Sequence, residues 1–118
     1  AATDVKAESR AFALRLRPNQ DFAAALETFC RQRGILRARI HGGVGSTIGA
    51  HFADGRTVVP FATELAIKAG AIAPGADGTL HAELDVALVD YLGGIADGRI
   101  MRGDNPVLMT MELVLEVV

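Results

Sequence analysis

One amphipathic helix among many alternating stretches predicts an α+β domain: two layers, a largely antiparallel sheet with one main helix packed on it. Three observations carry this. Apolar residues recur at helical spacing clearly in one segment, at Phe22, Leu26, Phe29 and Cys30. Period-two alternation recurs along the chain, most plainly at Leu80, Ala82, Leu84, Val86 and Leu88. Glycines and Asp-Gly pairs punctuate these stretches as hairpins require. The chain has 118 residues, half of them hydrophobic. That suffices for one core without stapling metals or disulfides, and it is too apolar for disorder.

In order, Phe12, Leu14 and Leu16 alternate with Ala13, Arg15 and Arg17 as a half-buried strand, which Pro18-Asn19 stops. Asn19 is placed to cap the helix, Asp21 to sit in its first turn, and Gly34 to close it at about Arg33. Leu36, Ala38 and Ile40 begin a second strand that enters Gly42-Gly43-Val44-Gly45-Ser46. Ile48 to Phe52 and Thr57 to Phe61 flank the turn pair Asp54-Gly55 as a hairpin. Glu64 to Ala73 reads as a strand with Leu65, Ile67, Ala69 and Ala71 on one face. After the loop Pro74 to Gly78 comes the strand Leu80 to Asp90. Gly93-Gly94 and Asp97-Gly98 bound a further strand, and Val107 to Val118 closes the chain with Met109, Met111, Leu113, Leu115 and Val117 inward. The domain organisation expected is an extension over residues 1–9 and a single domain over 10–118.

Net charge is −2 and the pI about 5.9, which excludes a globally basic nucleic-acid binder. The distribution is uneven: residues 1–60 hold 9 bases and 5 acids, residues 61–118 hold 3 bases and 9 acids. Opposite-sign faces of this kind suit self-association or a weakly basic patch. The one cysteine cannot form an intrachain disulfide, so a reducing, cytoplasmic setting is expected. No apolar run has the length of a membrane span, and the first ten residues show no signal-peptide pattern.

Several chemistries fall away. The glycine stretch lacks the Gly-Lys-Ser/Thr ending of a phosphate loop, and Ile48 stands where a dinucleotide fingerprint needs glycine. Ser46 lacks the flanking glycines of a nucleophile elbow. With Gly45 it offers a hydroxyl and a backbone amide to a small anion. Cys30 and the Met109, Met111 pair read as core. Without Trp, and with Tyr91 the single tyrosine, no stacking platform accompanies Arg37, Arg39 and His41. The polar face of Leu80 to Asp90 is the best chemical candidate. His81, Glu83 and Asp85 share it, with neighbours ~6.5–7 Å apart at Cα. His81 and Glu83 could converge on a metal, His41 or His51 supplying a third ligand, and Glu83 would pair with a charged His81.

Phe12-Ala-Leu-Arg-Leu-Arg-Pro-Asn-Gln-Asp-Phe22, a helix, then a strand entering Gly43-Val44-Gly45-Ser46 resemble the plants-and-prokaryotes-conserved (PPC) domain. Glu64 to Gly70, Ile72-Ala73-Pro74, Leu80-His81-Ala82-Glu83 to Asp90, Gly93-Gly94 and the last strand follow in the family's order, so the resemblance spans residues 10–118. It implies a homotrimer that mediates self-association and partner binding. In plant members AT-hooks before the domain bind DNA; this chain has no Arg-Gly-Arg-Pro core, so a DNA-binding label would come by resemblance alone. Many prokaryotic members resemble zinc-binding acetolactate decarboxylase in fold, with a His-x-His pair and a histidine after Gly-Gly. His81 matches the first position, but Glu83 and Ile95 stand at the others. The expectation is therefore a stand-alone homotrimeric interaction domain, without an assigned catalytic residue, and with no specific DNA binding of its own. The alternative is a small-molecule-binding protein or metal-assisted enzyme, with zinc as the metal and the site around His81 and Glu83.

Overall fold

The computed structural model describes residues 10–118, so the expected extension over residues 1–9 lies outside the described residues. Strand β1 (Ala11–Leu16) stops just before Pro18, and helix α1 (Phe22–Gln32) follows. Asp21, not Asn19, is the helix cap: it is extended (φ −70°, ψ 132°), and its Oδ2 accepts the Ala24 N–H at 2.9 Å. Asn19 instead takes the left-handed turn position at φ 71°, which asparagine tolerates. Arg33 is the C-cap, and Gly34 at φ 68° turns the chain out of the helix.

The remaining elements are β2 (Ala38–Thr47), β3 (Ala50–His51), β4 (Thr57–Val58), β5 (Ala62–Pro74), β6 (Leu80–Asp90), β7 (Ile95–Arg99) and β8 (Val107–Val117). Six strands form one sheet in the order β1-β8-β2-β5-β6-β7, every neighbouring pair antiparallel, and β3 and β4 form a separate small hairpin. The predicted α+β class is what the chain adopts. Helix α1 lays Phe22, Leu26 and Cys30 on one face of the sheet, against a core that includes Leu84, Val86, Leu88, Leu113 and Leu115.

Three departures from simple alternation shape the other face. Leu36 is exposed and β2 begins only at Ala38, but β2 then runs through the glycines to Thr47. Those glycines serve close approach: a Cβ on Gly43 would fall 2.6 Å from Ile67 Cδ1, and one on Gly45 would overlap the Thr110 carbonyl oxygen. In β5, Ile67 faces Val86 and Ala69 faces Asp85, so one extra residue enters at Lys68. This bulge turns Ala69 and Ala71 outward, contrary to expectation, and Ile72 inward. In β8, Gly45 faces Met111 and Thr47 faces Val107, leaving three residues of β8 opposite Ser46 alone. Met109, expected in the core, is consequently 69% exposed. The segments predicted as strands over 48–52 and 57–61 shrink to two residues each around the Asp54-Gly55 turn.

Candidate functional site

Period-two spacing places His81, Glu83 and Asp85 on one face of β6, and the structure gives them different neighbours. Arg99, opposite Asp85 on β7, donates from Nε to Asp85 Oδ1 at 2.8 Å and from Nη2 to Oδ2 at 3.2 Å. The same guanidinium reaches Glu83 Oε1 at 3.4 Å. Those bonds hold the Asp85 carboxyl below its usual range. His81, at the start of the strand, turns toward the preceding loop, where Asp77 Oδ1 lies 3.2 Å from Nε2. The imidazole packs against Gly75, where a Cβ would fall 2.8 Å from the ring. Although Asp77 is near, the pair is not aligned for a hydrogen bond, and Nε2 is buried without a partner. His41 pairs with Glu116 on β8. The backbone of His51 is held by the Asn105 carboxamide. Thus His81 and Glu83 are turned to separate groups, and among the described residues no three His, Cys, Asp or Glu side chains stand together as a metal needs.

Two residues that sequence reasoning missed stand beside His81. Glu27 follows Leu26 on the buried side of α1 and is only 8% exposed. Its Oε2 accepts the Ala82 N–H at 2.8 Å and Arg102 Nε at 2.7 Å, and Oε1 accepts Arg102 Nη2 at 2.9 Å. This one carboxylate ties the helix to β6 and to the loop before β8. Burial pushes its pKa up, but Arg102, the Ala82 amide and nearby His81 outweigh burial and leave it lowered. The available signal was an acid inside an apolar helical stripe; its partner, 75 residues away, left no local signal.

Ser46 is buried, and its Oγ accepts the Met109 N–H at 3.1 Å, bridging the β8 bulge. Gly45 beside it lies directly against β8. Both border the sheet face that α1 does not cover. One row crosses that face through all six strands, Arg15–Glu112–Val44–Ala66–Ala87–Asp97. Its centre is apolar: Val44 is 62% exposed, Ala66, Ala69 and Ala71 are exposed, and a hollow of about 670 Å³ is lined partly by Val44, Ala66, Val89, Ile95 and Met109. Beyond it stand the exposed Phe61 and Tyr91, ring centroids 6.3 Å apart.

A family model, the Plants and Prokaryotes Conserved (PCC) domain, matches residues 3–118. The chain belongs to this family. Solved structures share this fold. A hypothetical protein from Salmonella cholerae-suis is 26% identical with a TM-score of 0.66, over 93% of this chain and 78% of that one. A metal-containing protein from Archaeoglobus fulgidus is 18% identical with a TM-score of 0.69, over 92% and 79%. A protein from Ralstonia eutropha JMP134 with a provisional DNA-binding label is 16% identical with a TM-score of 0.68, over 98% and 86%. No curated protein matches. For this PCC domain the latter two likenesses establish the fold. No helix among the described residues is long and apolar enough to cross a membrane.

Proposed function

We propose that this PCC domain is a self-associating interaction module, a homotrimer built through the sheet face that α1 leaves uncovered. One observation carries the reading. A solvated antiparallel face should be polar at outward positions, yet its middle row here is Val44, Ala66 and Ala87, with Val89 beside it and Met109 turned toward it by the β8 bulge, while the charged Lys68, Glu83 and Asp85 stand to one side. The charges at the two ends of the row are paired within the chain, Arg15 with Glu112 and Asp97 with Lys68, which leaves the apolar centre to make the contact. The number three comes from the family resemblance. Reducing, cytoplasmic conditions suit a domain whose one cysteine is buried and whose thiol burial pushes up.

Light scattering at micromolar concentration is expected to give three times the 12.4 kDa chain mass. Ala66→Glu, which places a charge in the middle of the apolar band, should yield a folded monomer. A wild-type monomer across that range would sink the proposal.

A ligand site around His81 is a second reading, favoured by the buried, unpartnered Nε2 beside Asp77, Glu27 and Arg102. Glu83, Asp85, Ser46 and Gly45 remain outside that cluster. Protein purified without chelator should be analysed for metal and small molecules. A stoichiometric ligand lost in His81→Ala would establish this site; none in the wild type removes the reading.

A further inference from the structure

The two edges of the sheet are finished differently. At β7, Ala53 N–H donates to the Arg99 carbonyl at 2.8 Å, and Arg56 Nη2 donates to the Asp97 carbonyl at 2.9 Å. Arg56 is itself fixed, by Asp54 at 2.8 Å and by stacking 4.6 Å over Phe52. This edge is capped against further pairing.

The β1 edge has no such cap among the described residues. Val117 N–H donates to the Arg10 carbonyl at 2.8 Å, so Arg10 and Val117 form a bonded pair. Bonded and non-bonded pairs alternate along an antiparallel ladder. Phe12, Leu14 and Leu16 therefore bond to β8, and Ala11, Ala13 and Arg15 turn their N–H and C=O groups away from the sheet. Alongside runs a groove of about 520 Å³ between β1 and α1, its apolar wall made by Leu14, Leu16, Ala25 and Phe29.

Bases outnumber acids around this edge, although Glu112 of β8 lies 3.7 Å from Arg15 and Glu116 stands opposite Ala11, where His41 takes it. Arg15 and Arg17 stand at one end and Arg10 at the other, where Arg33 stacks 4.4 Å over Phe29 and 5.7 Å over Phe12. Asp21, the one acid lining the groove, is spent on the Ala24 and Asn105 N–H groups. We propose that β1 is a docking edge for an extended, acidic peptide segment of a partner protein, added as a seventh strand. Backbone pairing to Ala11, Ala13 and Arg15 supplies the affinity, and alternate side chains supply the selectivity. Apolar residues of the guest enter the groove, and its acids on the opposite face compete with Glu112, 3.7 Å away, for Arg15. A second copy pairing β1 to β1 would instead bring Arg10, Arg15 and Arg17 of both strands together. A nucleic acid would leave the outward amides and carbonyls unpaired and the apolar wall bare, and Arg33 covers the phenylalanine rings it would stack on.

The probe is a synthetic peptide alternating valine with glutamate, added to the full chain and followed by residue-resolved amide exchange. Exchange at Ala11, Ala13 and Arg15 should slow by about tenfold or more, while Phe12 and Leu14, already bonded to β8, change little. The lysine counterpart should bind at least about tenfold more weakly, as should the Arg15→Glu, Arg17→Glu double variant. Ala13→Pro removes the central outward donor, which an edge strand tolerates, and should abolish binding with the fold intact. Should that variant misfold, a peptide N-methylated at alternate residues tests the same bonds from the other side. Protection of Ala13 before peptide is added, equal binding of the lysine peptide, or the same protection from duplex DNA would each overturn the proposal.

Discussion

Burial alone would push the Glu27 carboxyl above its ordinary pKa, yet bonds from Arg102 and the Ala82 amide, with His81 nearby, carry it below. A carboxyl lowered on folding contributes stability above its unfolded value, near 4.5. That contribution disappears as pH falls through the folded pKa. Urea unfolding should therefore show a loss of stability below about pH 4.5 that Glu27→Gln flattens. Arg102→Ala strands a nearly buried carboxylate and should cost about 1–3 kcal/mol at neutral pH, with the Glu27 titration moving up by carbon-detected NMR. An unchanged urea midpoint would mean that the pair is merely surface decoration. The sequence shows the shared face of His81, Glu83 and Asp85, because period two is a local property. It does not show that Arg99 takes the two acids or that His81 turns to the loop of Asp77, since register and a loop reversal decide those neighbours.

Among elements, α1, β6 and the final strand from Met111 onward are legible because their apolar residues repeat with one clean period. The bulges are not. Ala66, Ala69, Ala71 and Ala73 look alike on either face, so alternation in β5 could not reveal the extra residue at Lys68. Likewise Met109 and Met111 read as one inward row until β8 is paired with the shorter span Gly45 to Thr47. Glycine makes that pairing feasible. A Cβ on Gly45 would overlap the Thr110 carbonyl oxygen and lie 2.7 Å from Met111 Cα, both backbone positions that cannot step aside. Gly45→Ala is therefore expected to destabilise by about 2 kcal/mol or more. Gly42→Ala meets no neighbour, carries only the left-handed backbone cost at φ 65°, and should lose about 1 kcal/mol. Thermal melts of the two variants separate close packing from backbone conformation; equal losses would refute the packing argument.

Over the whole molecule, the charge split seen along the chain is partly neutralised by folding. Arg15 pairs with Glu112, His41 stands on Glu116, and Arg102 pairs with Glu27, each joining one half of the chain to the other. Arg10, Arg37 and Arg39 nevertheless gather where β1 and β2 meet the end of β8. Such a cluster can neutralise a few phosphates, but it reads no base. Net charge remains −2, and acids such as Asp90, Asp97 and Glu64 populate the far side of the sheet. Binding through about three phosphate contacts should weaken roughly 40-fold between about 50 and about 200 mM salt. AT-rich and GC-rich duplexes should bind alike, because arginines that neutralise phosphates carry no sequence information. Fluorescence anisotropy with both duplexes across a salt series measures this directly. Tight binding to the AT-rich duplex that persists at high salt would require a groove-reading surface, which a scatter of exposed arginines on a sheet edge does not supply.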